Sequence, residues 1–170
     1  MEDADKQAVD VKTSLEEWFI GAKTVVVAGI GNPFRRDDFV GVEVVHKLKN
    51  RVSKDVFLIE AETVPESFMH KITEIKPTHI LLIDAAMINQ KPGTTKLVDT
   101  KQLIKTSAIS THTLPLRIFC DYLTETTKAK ITLLAIQPLD TSFGEGLTPT
   151  LKKTAAELAK VLQKILSQPH

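Results

Sequence analysis

At 170 residues, with 22 basic and 21 acidic side chains, the chain carries a formal net charge of +1. That balance argues against the basic field of a general nucleic-acid binder, and the length suits one domain with a substantial core. A single cysteine, Cys120, excludes an internal disulfide and a cysteine-cluster zinc site. No stretch has the length of a membrane span and the N-terminus lacks a signal-peptide pattern, so a cytoplasmic protein without membrane insertion is expected.

Residues 1–12 are polar and are expected to form a flexible N-terminus ahead of a single domain over 13–167. Ser14-Leu15-Glu16-Glu17 has the Ser-x-x-Glu form of a capping box, which predicts a short helix starting there with Leu15, Trp18 and Phe19 on one face. Val25 to Ala28 is continuous and β-branched, the pattern of a strand covered on both faces, and it breaks into Gly29-Ile30-Gly31-Asn32. Asp37 and Asp38 then open a helix whose inward stripe is Val40, Val44 and Leu48. Val56 to Glu60 predicts a second strand, Pro65-Glu66-Ser67-Phe68 the start of the next helix, and His79 to Asp84 a third strand. A short strand over Thr95 to Val98, a helix over Leu114 to Leu123 and a last strand over Ile131 to Ile136 follow. Thr148-Pro149 caps a long final helix with the stripe Leu151, Ala155, Leu158, Leu162 and Ile165.

Strands alternating with helices define an α/β fold. The expected architecture is a three-layer αβα sandwich, a mostly parallel twisted five-stranded sheet with one short antiparallel strand and helices on both faces. The first three strands most simply take the order 2-1-3 with right-handed crossovers. Ligands then gather beyond the carboxyl ends of strands one and three, where the connections diverge. Asp38 and Asp84 belong to those two ends, and His112, in Ser110-Thr111-His112-Thr113, precedes the next helix. Two carboxylates and an imidazole are a partial metal shell with positions left open, so Asp38, Asp84 and His112 form the candidate site.

Each signal has a plainer reading. Asp37 and Asp38 both suit the positive end of a helix, and for Asp37 a capping role is the preferred one. Asp84, an acid after an apolar strand, is costly to bury without a partner and could serve as a satisfied hydrogen-bond acceptor. Gly29-Ile30-Gly31 after a strand invites a dinucleotide reading, with Glu60 imitating the ribose-binding acid. The fingerprint, however, needs glycine where Phe34 stands. Cys120 lies within an apolar run and reads as a small core residue. Salt bridging is the default for Glu60 and Glu62. Neither a Gly-x-Ser-x-Gly elbow nor a His-Glu-x-x-His helix occurs.

The segments that carry these residues resemble the motifs of the nickel–iron hydrogenase maturation endopeptidases. Gly29-Ile30-Gly31-Asn32-Pro33-Phe34-Arg35-Arg36-Asp37-Asp38-Phe39-Val40-Gly41 resembles that family's opening motif, and Leu82-Ile83-Asp84-Ala85-Ala86 its second acidic motif. Ser110-Thr111-His112-Thr113-Leu114-Pro115 resembles its histidine motif, and Gly146-Leu147-Thr148-Pro149 its approach to the last helix. Glu62-Thr63-Val64-Pro65-Glu66 is similar to the branch that processes the hydrogenase 3 of formate hydrogenlyase. The resemblance implies an endopeptidase, aspartic-type or metal-assisted, that removes the C-terminal extension of a hydrogenase large-subunit precursor after nickel insertion. It implies Asp38 and Asp84 as catalytic carboxylates, and Asp38, Asp84 and His112 as contacts to nickel carried by the precursor. A monomer is expected. A nucleotide-binding regulatory domain and a non-catalytic nickel-checking chaperone are the alternative readings.

Overall fold

The structure, a computed structural model, describes residues 2–103 and 113–168. In chain order the elements are α1 (Glu2–Trp18), β1 (Val25–Ile30), α2 (Val40–Leu48), β2 (Val56–Glu62), α3 (Met69–Ile75), β3 (His79–Ala85), β4 (Thr95–Asp99), α4 (Thr100–Leu103), α5 (Thr113–Thr127), β5 (Lys130–Ile136) and α6 (Pro149–Leu166). The five strands lie in the order β2-β1-β3-β5-β4. Every pairing is parallel except β4 with β5. This is the expected αβα architecture, including the 2-1-3 start and the antiparallel edge.

β1 and β3 are buried along their whole length, as central parallel strands covered on both sides must be. Alternate residues feed two cores. Val25, Val27, Leu81 and Ile83 face α1, α2 and α6, where Leu15, Val44 and Leu158 meet them. Val26, Ala28, Ile80 and Leu82 face α3 and α5, packing with Ile72, Leu116 and Phe119. The expected final stripe is realised in α6, with Leu151, Ala155, Leu158 and Leu162 buried and Ile165 partly buried.

The first helix departs from the expected one. It begins at Glu2, so Ser14 lies in its interior and the capping box is not a start signal. The reason is the apolar stripe, which extends upstream: Val11 and Leu15 are both buried one turn apart, ahead of Phe19. Tertiary burial of that stripe outweighs a local capping pattern.

Candidate active site

The site is built by the way β1 gives over to α2. Gly31 has φ 150°, and a side chain there would collide with the backbone of Asp38. Gly41 at the start of α2 rests against Ile30 O and Ile83 O, again with no room for a Cβ, and Gly29 lies under Gly41 O. These glycines therefore let the helix approach the ends of β1 and β3 directly. Close backbone packing thus accounts for these glycines without calling on a phosphate.

Between β1 and α2, Arg36–Phe39 makes a 3-10 turn that buries Asp37 and Asp38. The Asp38 Oδ2 accepts a hydrogen bond from Asn32 N at 3.0 Å, which folds the carboxylate back over the end of β1. Asp84 lies near the end of β3, one residue beyond the last β1 pairing, Gly29 with Ile83. Both acids are at most 1% exposed. Side chains alternate along a strand, so Asp84 shares the face of Ile80 and Leu82, the face covered by α5. That helix begins at Thr113, directly after His112 in sequence. His112 itself lies outside the described residues. Among the described residues no group of three or more His, Cys, Asp or Glu side chains is placed to hold a metal.

Asp37 has a role that its sequence neighbours do not reveal. Its carboxylate reaches beyond its own helical turn. It accepts hydrogen bonds from Leu139 N and Asp140 N at 3.0 Å, from Thr148 N at 2.7 Å and from Thr148 Oγ1 at 3.0 Å. A wholly buried carboxylate is thereby satisfied by four donors of one distant loop. The preferred capping role for Asp37 is replaced by this cross-link, and Thr148, the N-cap residue of α6, gives its hydroxyl to Asp37. More bonds pin the same loop: Gly144 N to Phe34 O, Arg36 N to Gly144 O, and Arg35 Nε to Thr141 O. Hydrogen bonds from Ser142, and then the charge of Arg36, hold the Asp140 carboxyl below its ordinary value.

Two other titratable groups, Glu60 and Cys120, have structural roles. Glu60 bridges His46 Nδ1 at 2.8 Å and Lys49 Nζ at 2.9 Å, the salt bridging expected of it. Burial, with a smaller contribution from Asp121, pushes the Cys120 thiol up to about 12. It is a core residue and no nucleophile at neutral pH.

Fold and site together define a doubly wound α/β protein with buried acids at its switch point. The family model described as HycI, hydrogenase maturation protease, matches residues 42–168. A Methanocaldococcus jannaschii protein bearing the hydrogenase maturation protease name is 36% identical over 166 residues, covering 93% of this chain and 97% of that protein. The hydrogenase 3 maturation protease of Escherichia coli K12 is 27% identical over 76% of this chain and 82% of its own length. The crystal structure of the [NiFe] hydrogenase maturation protease HycI from Thermococcus kodakarensis KOD1 is 35% identical, with a TM-score of 0.85 over 91% of this chain and 99% of that one. The chain belongs to the hydrogenase maturation protease family, and it is a peptidase. Among the described residues no helix is long and apolar enough to cross a membrane.

Proposed function

We propose that the chain is an endopeptidase that removes the C-terminal extension of a nickel–iron hydrogenase large-subunit precursor, acting once nickel has been inserted. The observation that carries this is the burial of two carboxylates, Asp38 and Asp84, at the β1 and β3 ends of a family peptidase. Acids gathered at the carboxyl ends of adjacent parallel strands lie where ligands of such sheets bind, and they suit a site that is completed by a substrate.

In this reading nickel belongs to the substrate. Asp38, Asp84 and His112 contact the ion, and donors on the precursor complete its coordination. A carboxylate beside the scissile carbonyl takes the proton of the attacking water, which makes the chemistry aspartic in type, with the ion fixing the peptide in place. The enzyme acts in the cytoplasm as a monomer on one protein partner.

The deciding experiment incubates the purified protein with nickel-loaded and nickel-free precursor and follows loss of the tail by mass. Cleavage confined to the loaded form is expected. Equal cleavage of both would remove nickel recognition, and binding without cleavage would favour the chaperone reading. Because three donors leave a shell incomplete, the isolated protein should lose added nickel on dialysis against a chelator. Stoichiometric retention would instead indicate a resident metal.

A further inference from the structure

Gln137 stands at the same edge of the sheet as the two site acids. It follows β5 directly and is only 5% exposed. The ladders run on past the strand ends: Ala86 N donates to Ile136 O and Gln137 N to Thr94 O, both at 2.9 Å. Alternation therefore puts the Gln137 side chain on the face of Leu133 and Ala135, which is also the face of Asp84. Asp84 pairs with Ala135, so Gln137 lies two positions beyond that partner on the neighbouring strand. Its amide is directed at the segment that continues from Asp84. Oε1 accepts from Ile88 N at 2.9 Å and from Gln90 N at 3.4 Å. Nε2 donates to Pro138 O at 3.3 Å and to Met87 Sδ at 3.5 Å. Gly93 N donates to Gln137 O at 2.8 Å, so one residue holds the connection from β3 to β4 at both its beginning and its end.

We infer that Gln137 is a positioning residue for the cleavage reaction and acts through Asp84. This rests on the proposed precursor-processing reading, in which Asp38 and Asp84 meet the substrate. The stretch 137–140 is fastened on two sides. Gln137 holds the connection that follows Asp84, while Leu139 N and Asp140 N donate to Asp37, the neighbour of Asp38. One short stretch thus ties together the acid-bearing ends of β1 and β3, and it sets how far apart they stand. A buried amide with both of its polar atoms engaged is a rigid tie. Reacting groups must be held to within about 0.5 Å, so a tie this close to Asp84 bears on rate more than on affinity. A purely structural glutamine differs in its consequence. Its loss would lower stability and leave each folded molecule as active as before.

The test compares wild type with Gln137→Asn, Gln137→Met and Gln137→Glu, reading kcat and KM on nickel-loaded precursor per folded molecule, with folding followed by circular dichroism. Gln137→Asn keeps the amide but shortens its reach to Ile88 N by a methylene, and Gln137→Met removes the acceptor at nearly constant shape. In both, kcat should fall about tenfold or more, with KM within about threefold. Gln137→Glu reaches as far and still accepts from Ile88 N and Gln90 N, so it should recover most of that loss. If Gln137→Met does not fold, Gln137→Asn and Gln137→Glu still make the comparison. Wild-type kcat in folded Gln137→Asn, or a Gln137→Glu no faster than Gln137→Asn, would overturn the inference. A second readout needs no turnover. At fixed pH the carboxyl carbon resonance of Asp84 should move in Gln137→Asn, while that of Glu60 on β2 stays in place. Failure of the wild type to cleave would overturn the peptidase reading, and an Asp84 resonance that does not move would overturn the positioning role separately.

Discussion

The two ends of the sheet bury opposite kinds of polar group. Where β3 begins, His79 is buried edge-on to Trp18 at a ring separation of 5.0 Å, with Nδ1 3.1 Å from Thr78 Oγ1. Thr78 is tied in turn to the backbone of Thr24, so this end is a closed set of aromatic and hydroxyl contacts. Where β1 and β3 finish, three carboxylates are buried instead: Asp37, Asp38 and Asp84. An imidazole can be buried neutral at modest cost, whereas an ionised carboxylate needs donors or a cation. The end where β1 and β3 finish thus gathers three acids, and such concentrations of buried charge are frequent at functional sites.

Within the acidic end the contrast sharpens, because Asp37 is tied by four donors to a distant loop, whereas Asp38 and Asp84 are the acids proposed to meet the substrate. The largest expected effect follows from the second pair. Asp38→Asn or Asp84→Asn keeps shape and volume and removes the charge, and processing of the nickel-loaded precursor should fall about a hundredfold or more. Melting should stay near wild type. A variant that processes normally, or one that unfolds, would return that acid to a structural role. His112→Ala should also leave precursor unprocessed while the variant melts near wild type. Normal processing by that variant would take His112 out of the site.

Asp37→Ala should give the reverse pattern. It leaves the N–H groups of Leu139, Asp140 and Thr148 and the Thr148 hydroxyl without their acceptor. Unsatisfied buried donors carry most of the cost, so a loss of about 3 kcal/mol is expected. In a chain of this size that lowers Tm by roughly 6–12 °C, readable by calorimetry. A melting point equal to that of the Asp84→Asn variant would erase the distinction between the structural acid and the site acids.

Much of this was legible in the residues. β-branched or apolar runs separated by helical patterns led to the 2-1-3 order of the first three strands, and acids after two such runs pointed to Asp38 and Asp84, which are buried at those strand ends. The start of α1 was hidden because Ser14 and Glu17 imitate a cap, while the burial of Val11 depends on a core assembled from distant strands. The role of Asp37 was hidden for a related reason. Its partners, Leu139, Asp140 and Thr148, are more than a hundred positions away, and no local pattern signals that a helix-opening acid reaches past its own helix. Likewise the glycine spacing was open to a phosphate reading until the packing of Gly29 and Gly41 against backbone gave it a purely steric cause.

The smallest expected effect concerns Glu60, which lies on β2 level with Gly29, beside the acidic end. Burial alone would push its carboxyl up. The hydrogen bonds and charges of Lys49 and then His46 outweigh burial and hold it below 4.5, its ordinary value. A carboxyl lowered on folding means that the unfolded chain binds the proton more readily. The stabilisation is therefore fully present above about pH 4.5 and disappears as pH falls through the lower folded value. His46 and Lys49 remain substantially exposed, so solvent screens the pair and its contribution is below about 1 kcal/mol. Glu60→Gln should thus lower Tm slightly at pH 7 and in low salt, and the difference from wild type should shrink both at pH 3 and at high ionic strength. A difference that persists at pH 3 would mean that packing by the Glu60 side chain, rather than its charge, ties β2 to α2.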